Sequence, residues 1–434
     1  MNVHAHAEAV EFTSDLIRFD TSNYGPGIEG PGERDAAEYV AEKLDEVGIQ
    51  AQMLESEPRR TTLVASLEGK DSALPPLLVH GHLDVVPAVA EEWSVPPFAG
   101  EQKDGFIWGR GAIDMKNFDA VMLAVVRERV RANRPPRRPI RLVFTADEEA
   151  GGPLGSVWLA RNHPYLIDDC TQAVGEVGGF SLTVNGRRLY LIQTAEKGLA
   201  WMKLIAEGTA GHGSMRNADN AITELAQAVA SLGTYEWPTN LHPAQQAFLD
   251  AVSEALGVDI TTDSVEETLT QLGSISRMVG ATMSHTINPT MLQAGYKANV
   301  IPRTATATVD GRYLPGRREE FLETVRTIIG EKVRAEILHE QPGVEAPWGT
   351  PITDAMTTAI RDFDAEATMT PYIMSAGTDA KGWSELGIEC YGFIPLKLPA
   401  DFDFVGMFHG VDERVPIESL DFAVDVFDRF LDLA

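Results

Sequence analysis

Two histidines and a set of carboxylates, most of them at the ends of apolar runs, are the residues of this chain best suited to chemistry. His82 and Asp84 stand in HGHLDVVP, directly after the strand-like run Leu77–Val79. Residues two apart in an extended chain share a face, so Asp84 is placed to accept from the His82 imidazole and fix its tautomer. Asp114 follows a glycine-bearing turn in GRGAIDMKN and precedes a helix, where an aspartate commonly serves as a cap. Glu148 and Glu149 follow the buried run IRLVF, and neighbouring side chains diverge there, so one can face a metal while the other faces a substrate. Glu176 follows the short apolar run CTQAV, and His409 lies far along the chain in MFHGVDE. Singly each has an ordinary reading. Together the imidazoles and carboxylates make an N/O ligand set suited to zinc. A bridging carboxylate with two terminal ligands per ion would hold two cations ~3.5–4 Å apart and leave one acid free to manage a proton.

Such residues need a scaffold that gathers strand ends. The first half alternates helical and strand signals: a helix around Val40, Leu44 and Val47, strands at Leu63–Leu67 and Leu77–Val79, and a helix from Lys116 to Arg131. The strand 140–144, a helix Ser156–Asn162 and a short strand at Ala173–Val174 follow. This alternation indicates an α/β fold with a mostly parallel sheet, which collects ligands at the carboxyl ends of its strands. Around Glu196-Lys197-Gly198 the pattern changes. Leu199–Ala206, a helix Asn220–Leu232, strands near Met291–Leu292 and Thr304–Asp310, a helix Arg318–Gly330 and the strand Val333–Leu338 read as a β-α-β-β-α-β, ferredoxin-like unit. A helical insertion at about 236–288 interrupts it, with Ala247–Leu256 its clearest piece. From Gly343 the α/β pattern resumes and closes with the helix Ile417–Leu433. The expected organisation is a catalytic domain in two parts, 1–197 and 343–434, with a second domain, 198–342, inserted into it.

Composition bounds the partners. The chain has 434 residues, enough for two or three folding units, and 64 Asp+Glu against 36 Lys+Arg give a net charge of −28. That balance excludes nucleic-acid phosphates and anionic membrane surfaces, which need basic patches. Cys170 and Cys390 lie in no metal-binding or redox spacing and are expected to be free thiols in a reducing compartment. With no basic, apolar leader pattern at the start and no apolar run long enough to span a bilayer, a cytoplasmic location is expected.

HGHLDVVP, GRGAIDMK, TADEE, the glutamate of GEVGG, GHGS and HGVDE occur in that order, and over about residues 10–425 the chain resembles the M20 metallopeptidases. That family includes aminoacylase-1, carboxypeptidase G2, succinyl-diaminopimelate desuccinylase and carnosinase-type dipeptidases. The resemblance implies a zinc-peptidase catalytic domain, an inserted lid that dimerises, and two Zn²⁺ per subunit, with Co²⁺ or Mn²⁺ as alternatives. It implies that Asp114 bridges the ions, that His82 and Glu176 complete one site, and that Glu149 and His409 complete the other. Glu148 takes the part of general base and Asp84 that of orienting His82. His212, by itself a loop histidine, corresponds to one that reaches the partner subunit's site in a homodimer and stabilises the oxyanion. Asn299, Arg312, Gly377 and Thr378 fall at substrate-binding positions, and an arginine fork suits a carboxylate. Asn117 departs from the family, which commonly has glycine after DMK. The activity expected is hydrolysis of an amide bond in N-acyl-amino acids or dipeptide-like substrates with a free carboxylate. Alternatives are a succinyl- or acetyl-diamino acid deacylase of the same family and a catalytically silent metal- or peptide-binding relative.

Overall fold

A computed structural model describes residues 3–260 and 275–434. The middle of the expected helical insertion, 261–274, lies outside the described residues. The larger of two main sheets has ten strands. Its centre is four parallel strands, in the order Ile140–Thr145, Leu77–His82, Gln172–Gly175 and Glu389–Gly392. Antiparallel strands extend it on both sides: Arg60–Leu67 and Ala51–Glu57 on one, Arg187–Glu196 on the other.

The sequence dictates this placement through burial on both faces. Every residue of Leu77–His82 is buried, so this strand reads as a continuous apolar run and not as an alternation. The period of two still shows in where its side chains go. Leu77 and Val79 join the core under the helices Val3–Arg18, Lys116–Arg131, Pro351–Phe363 and Ile417–Leu433, whereas Leu78 joins the core under Ser156–Asn162 and Ala380–Ser384. Lys116–Arg131 is buried almost all round because it is packed between the sheet, Val3–Arg18 and Ile417–Leu433. Cys170 and Cys390 are buried free thiols in the second of these cores.

The second sheet has four strands in the order Thr286–Ala294, Thr304–Tyr313, Gly198–Glu207, Val333–Gln341, all antiparallel. The helices Ala221–Gly233 and Arg318–Ile329 cover one face through Leu225 and Phe321, against Ala200, Met202 and Leu204. With its connections this is the β-α-β-β-α-β order expected. One difference concerns the insertion. The longer of its two described helices, Pro243–Leu256, packs through Phe248, Leu249, Val252 and Ala255 into the core of the large sheet, not onto the four-stranded one. It lies against the strand Thr368–Met374, so this piece enlarges the body built on the large sheet.

Arg187–Glu196 was not legible as a strand. It starts with two arginines and ends with Gln193, Thr194 and Glu196, which are polar yet buried. Gln193 is satisfied by donating to Glu196 on the same strand, and Glu196 by accepting from Thr378 across 182 residues, neither of which a hydropathy pattern records. No described helix is long and apolar enough to cross a membrane.

Close packing at the strand ends makes a specific demand at Gly175, where a Cβ would stand 2.3 Å from the His80 ring of the neighbouring strand. Gly175→Ala is therefore expected to cost about 1–3 kcal/mol through overpacking, read as a lowered midpoint in urea denaturation followed by circular dichroism.

Candidate active site

The four parallel strands end side by side, and their carboxyl ends deliver the site. His82 is the last residue of its strand, Glu148 and Glu149 open the turn after Ile140–Thr145, and Glu176 follows Gln172–Gly175. Asp114 arrives from the loop before Lys116–Arg131, and His409 from the loop before Arg414–Pro416. Asp147, Val177 and His409 have φ of 66°, 54° and 56°, so left-handed backbone occurs at a ligand or beside one three times. For the β-branched Val177 this is a costly conformation, of the kind that collects at functional sites.

His82 Nε2 lies 3.1 Å from Asp114 Oδ1, 3.5 Å from Glu176 Oε2 and 3.8 Å from Glu148 Oε2. His409 Nε2 lies 3.4 Å from the other Asp114 oxygen and 3.2 Å from Glu149 Oε2. Two triads result, His82–Asp114–Glu176 and Asp114–Glu149–His409, each with ligand atoms within 4.8 Å of one another. Asp114 belongs to both. Glu148 belongs to neither and stands beside the first.

The charge state shows what the cluster needs. Burial, reinforced by neighbouring carboxylates, pushes Glu148 well above the usual carboxylate range, raises Glu149, and raises Glu176 to about 8. Burial alone would raise Asp114 too, but the bonds from His409 and His82 hold it low. His409 is raised to about 10 by hydrogen bonds to Asp114 and Glu149. Glu149 Oε1 and Glu176 Oε1 are buried without a hydrogen-bond partner. Such orphaned acceptors are costly in a native interior. A divalent cation in each triad would satisfy them and relieve the repulsion, so the residues present fit metal ions.

A surrounding layer fixes these groups. His82 Nδ1 is 2.9 Å from the Asp84 backbone carbonyl, which can only accept, so Nδ1 carries the proton and Nε2 is left to face the triad. The carboxylate of Asp84 is farther, at 3.6 Å, and works elsewhere. It accepts from the amides of Glu148 and Glu149, each at 3.1 Å, and from Asn23 Nδ2 at 2.8 Å. Asp84 thus meets His82 through its carbonyl, with its carboxylate 3.6 Å from the ring, and that carboxylate also sets the Glu148–Glu149 turn. Asn23 also donates to Asp147 at 3.0 Å and so holds two acids together. Buried Glu413 accepts from the amides of Ile113 and Asp114, at 2.7 and 3.2 Å, and from Arg110 at 2.7 Å. Asn23, Arg110 and Glu413 escaped the sequence reading. Glu413 ends HGVDE and could have been suspected there; Asn23 acts across separations of 61 and 124 residues with no local signal.

The remaining expected residues lie apart from the triads. Exposed His212 bonds Ser214 at 2.8 Å, and its short strand pairs with Val300 beside Asn299. Arg312, on the four-stranded sheet, places its fork on Asp310 at 2.7 and 3.1 Å. Among the described residues, no hydrogen bond or ion pair joins His212, Asn299 or Arg312 to the triads. Thr378, expected at a substrate-binding position, is engaged within the protein. It is buried and gives its amide and hydroxyl to Glu196, at 3.2 and 2.5 Å, while its oxygen accepts from Ala380. Gly377 stays half-buried, and a Cβ there would meet Lys381 at 2.6 Å.

Fold and site together define a metal-dependent hydrolase of the α/β class, with ligands at strand ends and a second sheet inserted. The sequence profile of peptidase family M20/M25/M40 matches residues 78–433, and the chain belongs to this family of hydrolases acting on amide bonds. It is 28% identical over 383 residues to the N-fatty-acyl-amino acid synthase/hydrolase of Xenopus tropicalis, covering 84% of this chain and 73% of that one. To aminoacylase-1 of Pongo abelii it is 27% identical over 420 residues, covering 91% and 89%. Among solved structures, an M20 family metallo-carboxypeptidase from Sulfolobus solfataricus superposes with a TM-score of 0.73 at 18% identity, covering 98% and 99% of the two chains. A dinuclear metal binding M20 peptidase of Bacillus subtilis gives 0.63 at 14%, covering 98% and 97%.

Two outcomes test the site. Asn23→Ala leaves Asp84 and Asp147 facing each other, and metal affinity by isothermal titration is expected to fall about 10- to 100-fold, as for other partners behind a metal ligand. Because Glu176 and His409 titrate near 8 and 10 in the metal-free protein, each ion must displace a proton at neutral pH. Affinity should therefore rise with pH from neutrality towards that range, with proton release measurable by titration in buffers of different ionisation enthalpy.

Proposed function

We propose that the chain hydrolyses the amide bond of N-acyl-amino acids, or of dipeptide-like substrates with a free carboxylate, with two divalent cations, zinc foremost, in the two triads. The observation that carries this is that Asp114 is shared between both triads while Glu148 stands free beside them. Bound there, the cations would polarise the scissile carbonyl and make water nucleophilic at neutral pH. The chain's own residues do the rest. Glu148, 13% exposed and in a site that favours its protonated form, is suited to take a proton from the attacking water and hand it to the leaving amine. The Asp84 carboxylate holds the backbone of Glu148, so the base cannot drift from the ligands.

The relatives' names, N-fatty-acyl-amino acid synthase/hydrolase and aminoacylase, support the N-acyl-amino acid class. Arg312 would receive the substrate carboxylate by exchanging it for Asp310. His212 would supply oxyanion stabilisation to a partner copy in a homodimer.

Glu148→Gln is expected to lower kcat by about 10²–10⁴ while metal content stays unchanged; a variant as active as the wild type refutes the role. Removal of metal by a chelator should abolish activity and re-addition restore it. Mixing inactive His212→Ala and Arg312→Ala chains should restore partial activity through hybrid dimers, and no restoration despite subunit exchange refutes the shared site.

A further inference from the structure

The chain passes between its two main sheets twice, at Glu196–Gly198 and at Gln341–Gly343. The crossings run side by side: a Cβ on Gly343 would be 3.3 Å from the Glu196 carbonyl and 3.4 Å from the Gly198 amide. One side chain from a third segment grips both. Lys381, 3% exposed on the short helix Ala380–Ser384, donates to the Lys197 carbonyl at 2.8 Å and the Pro342 carbonyl at 2.9 Å. The Glu196 carboxylate faces the same ammonium at 3.5 Å. That carboxylate also takes the amide and hydroxyl of Thr378, one turn earlier in the same segment. The return crossing reaches the catalytic turn as well, because Gln341 Nε2 donates to the Gly151 carbonyl at 2.9 Å, just past Glu148 and Glu149.

A buried ammonium that served stability alone would need acceptors of any origin. Here its two carbonyl acceptors come one from each crossing, and the sheet beyond them carries Arg312. We propose that Lys381 is a positioning residue for the reaction: it pins both crossings and so fixes the pose of the Arg312-bearing sheet relative to the carboxylate cluster. The catalytic consequence rests on the reading that Arg312 receives the substrate carboxylate; the mechanical one does not.

The test uses the metal-loaded full chain with spin labels on Asp71→Cys and Glu331→Cys, exposed positions on the two bodies; Cys170 and Cys390 are buried. Pulsed electron–electron distance measurement should give a narrow distribution for the wild-type hinge, a broad one for Lys381→Met, and recovery in Lys381→Arg. In unlabelled protein, Lys381→Met should raise KM for an N-acyl-amino acid about tenfold, as a small misplacement of a substrate-positioning group does. kcat should change less, and the KM preference for the acid over its carboxamide should narrow. An unchanged distance distribution overturns the proposal, whatever the activity. So does an equal loss on acid and carboxamide with an unchanged KM ratio. Should Lys381→Met not fold, the near-isosteric Glu196→Gln weakens the same junction from the other side, and an unbroadened distribution there also overturns the proposal. If the wild type hydrolyses no such substrate, the substrate reading fails while the distances still decide the hinge.

Discussion

Like-charge crowding at one end of a sheet is the constraint on which this structure turns. Asp114, Glu148, Glu149 and Glu176, each mostly buried, converge on buried His82 and half-exposed His409. Left to themselves such groups neutralise by taking up protons, as the raised glutamates show. Divalent cations held by the two triads would resolve the conflict differently, by coordination, and would leave Glu148, the base proposed above, outside both ligand sets. The same crowding that destabilises the metal-free site tunes the base.

Holding such a cluster requires a rigid frame, and the parallel centre of the large sheet supplies it. Its strands are buried on both faces, so none can slip by a residue without exposing one core or the other. The frame extends through polar residues behind the ligands. Asp84 grips the Glu148–Glu149 turn, Asn23 grips Asp84, and Glu413 grips the amides around Asp114. Substitutions behind the site therefore bear on metal affinity as well as on stability.

The four-stranded sheet plays a different part. Its own core is separate, and it is tied to the catalytic body at two adjacent strand crossings and through the connections of the helix Pro243–Leu256, which packs into the large-sheet core. A charge-assisted grip on both crossings is an economical way to set its orientation, because it acts where a small rotation is magnified at the far end. It also links the Gly377–Thr378 loop to the placement of Arg312.

Much of the site was legible because its residues sit in short, ordered motifs. HGHLD, GRGAIDMK, TADEE and HGVDE each combine a ligand type with a strand end or a turn, and the apolar pattern located Leu77–Val79, Lys116–Arg131 and the β-α-β-β-α-β unit. The sequence by itself determined which side chains could bind metal, which strand ends present them, and that a second unit interrupts the first. Only the tertiary structure decided that the Asp84 carbonyl is the nearer acceptor for His82 while its carboxylate takes the Glu148 and Glu149 amides, and that Thr378 bonds Glu196. It alone joined Lys381 to both crossings and Asn23 to two distant acids. The reason is physical: local patterns record what one segment must bury, whereas buried polar groups are satisfied by partners tens or hundreds of residues away, which the folded chain alone brings together.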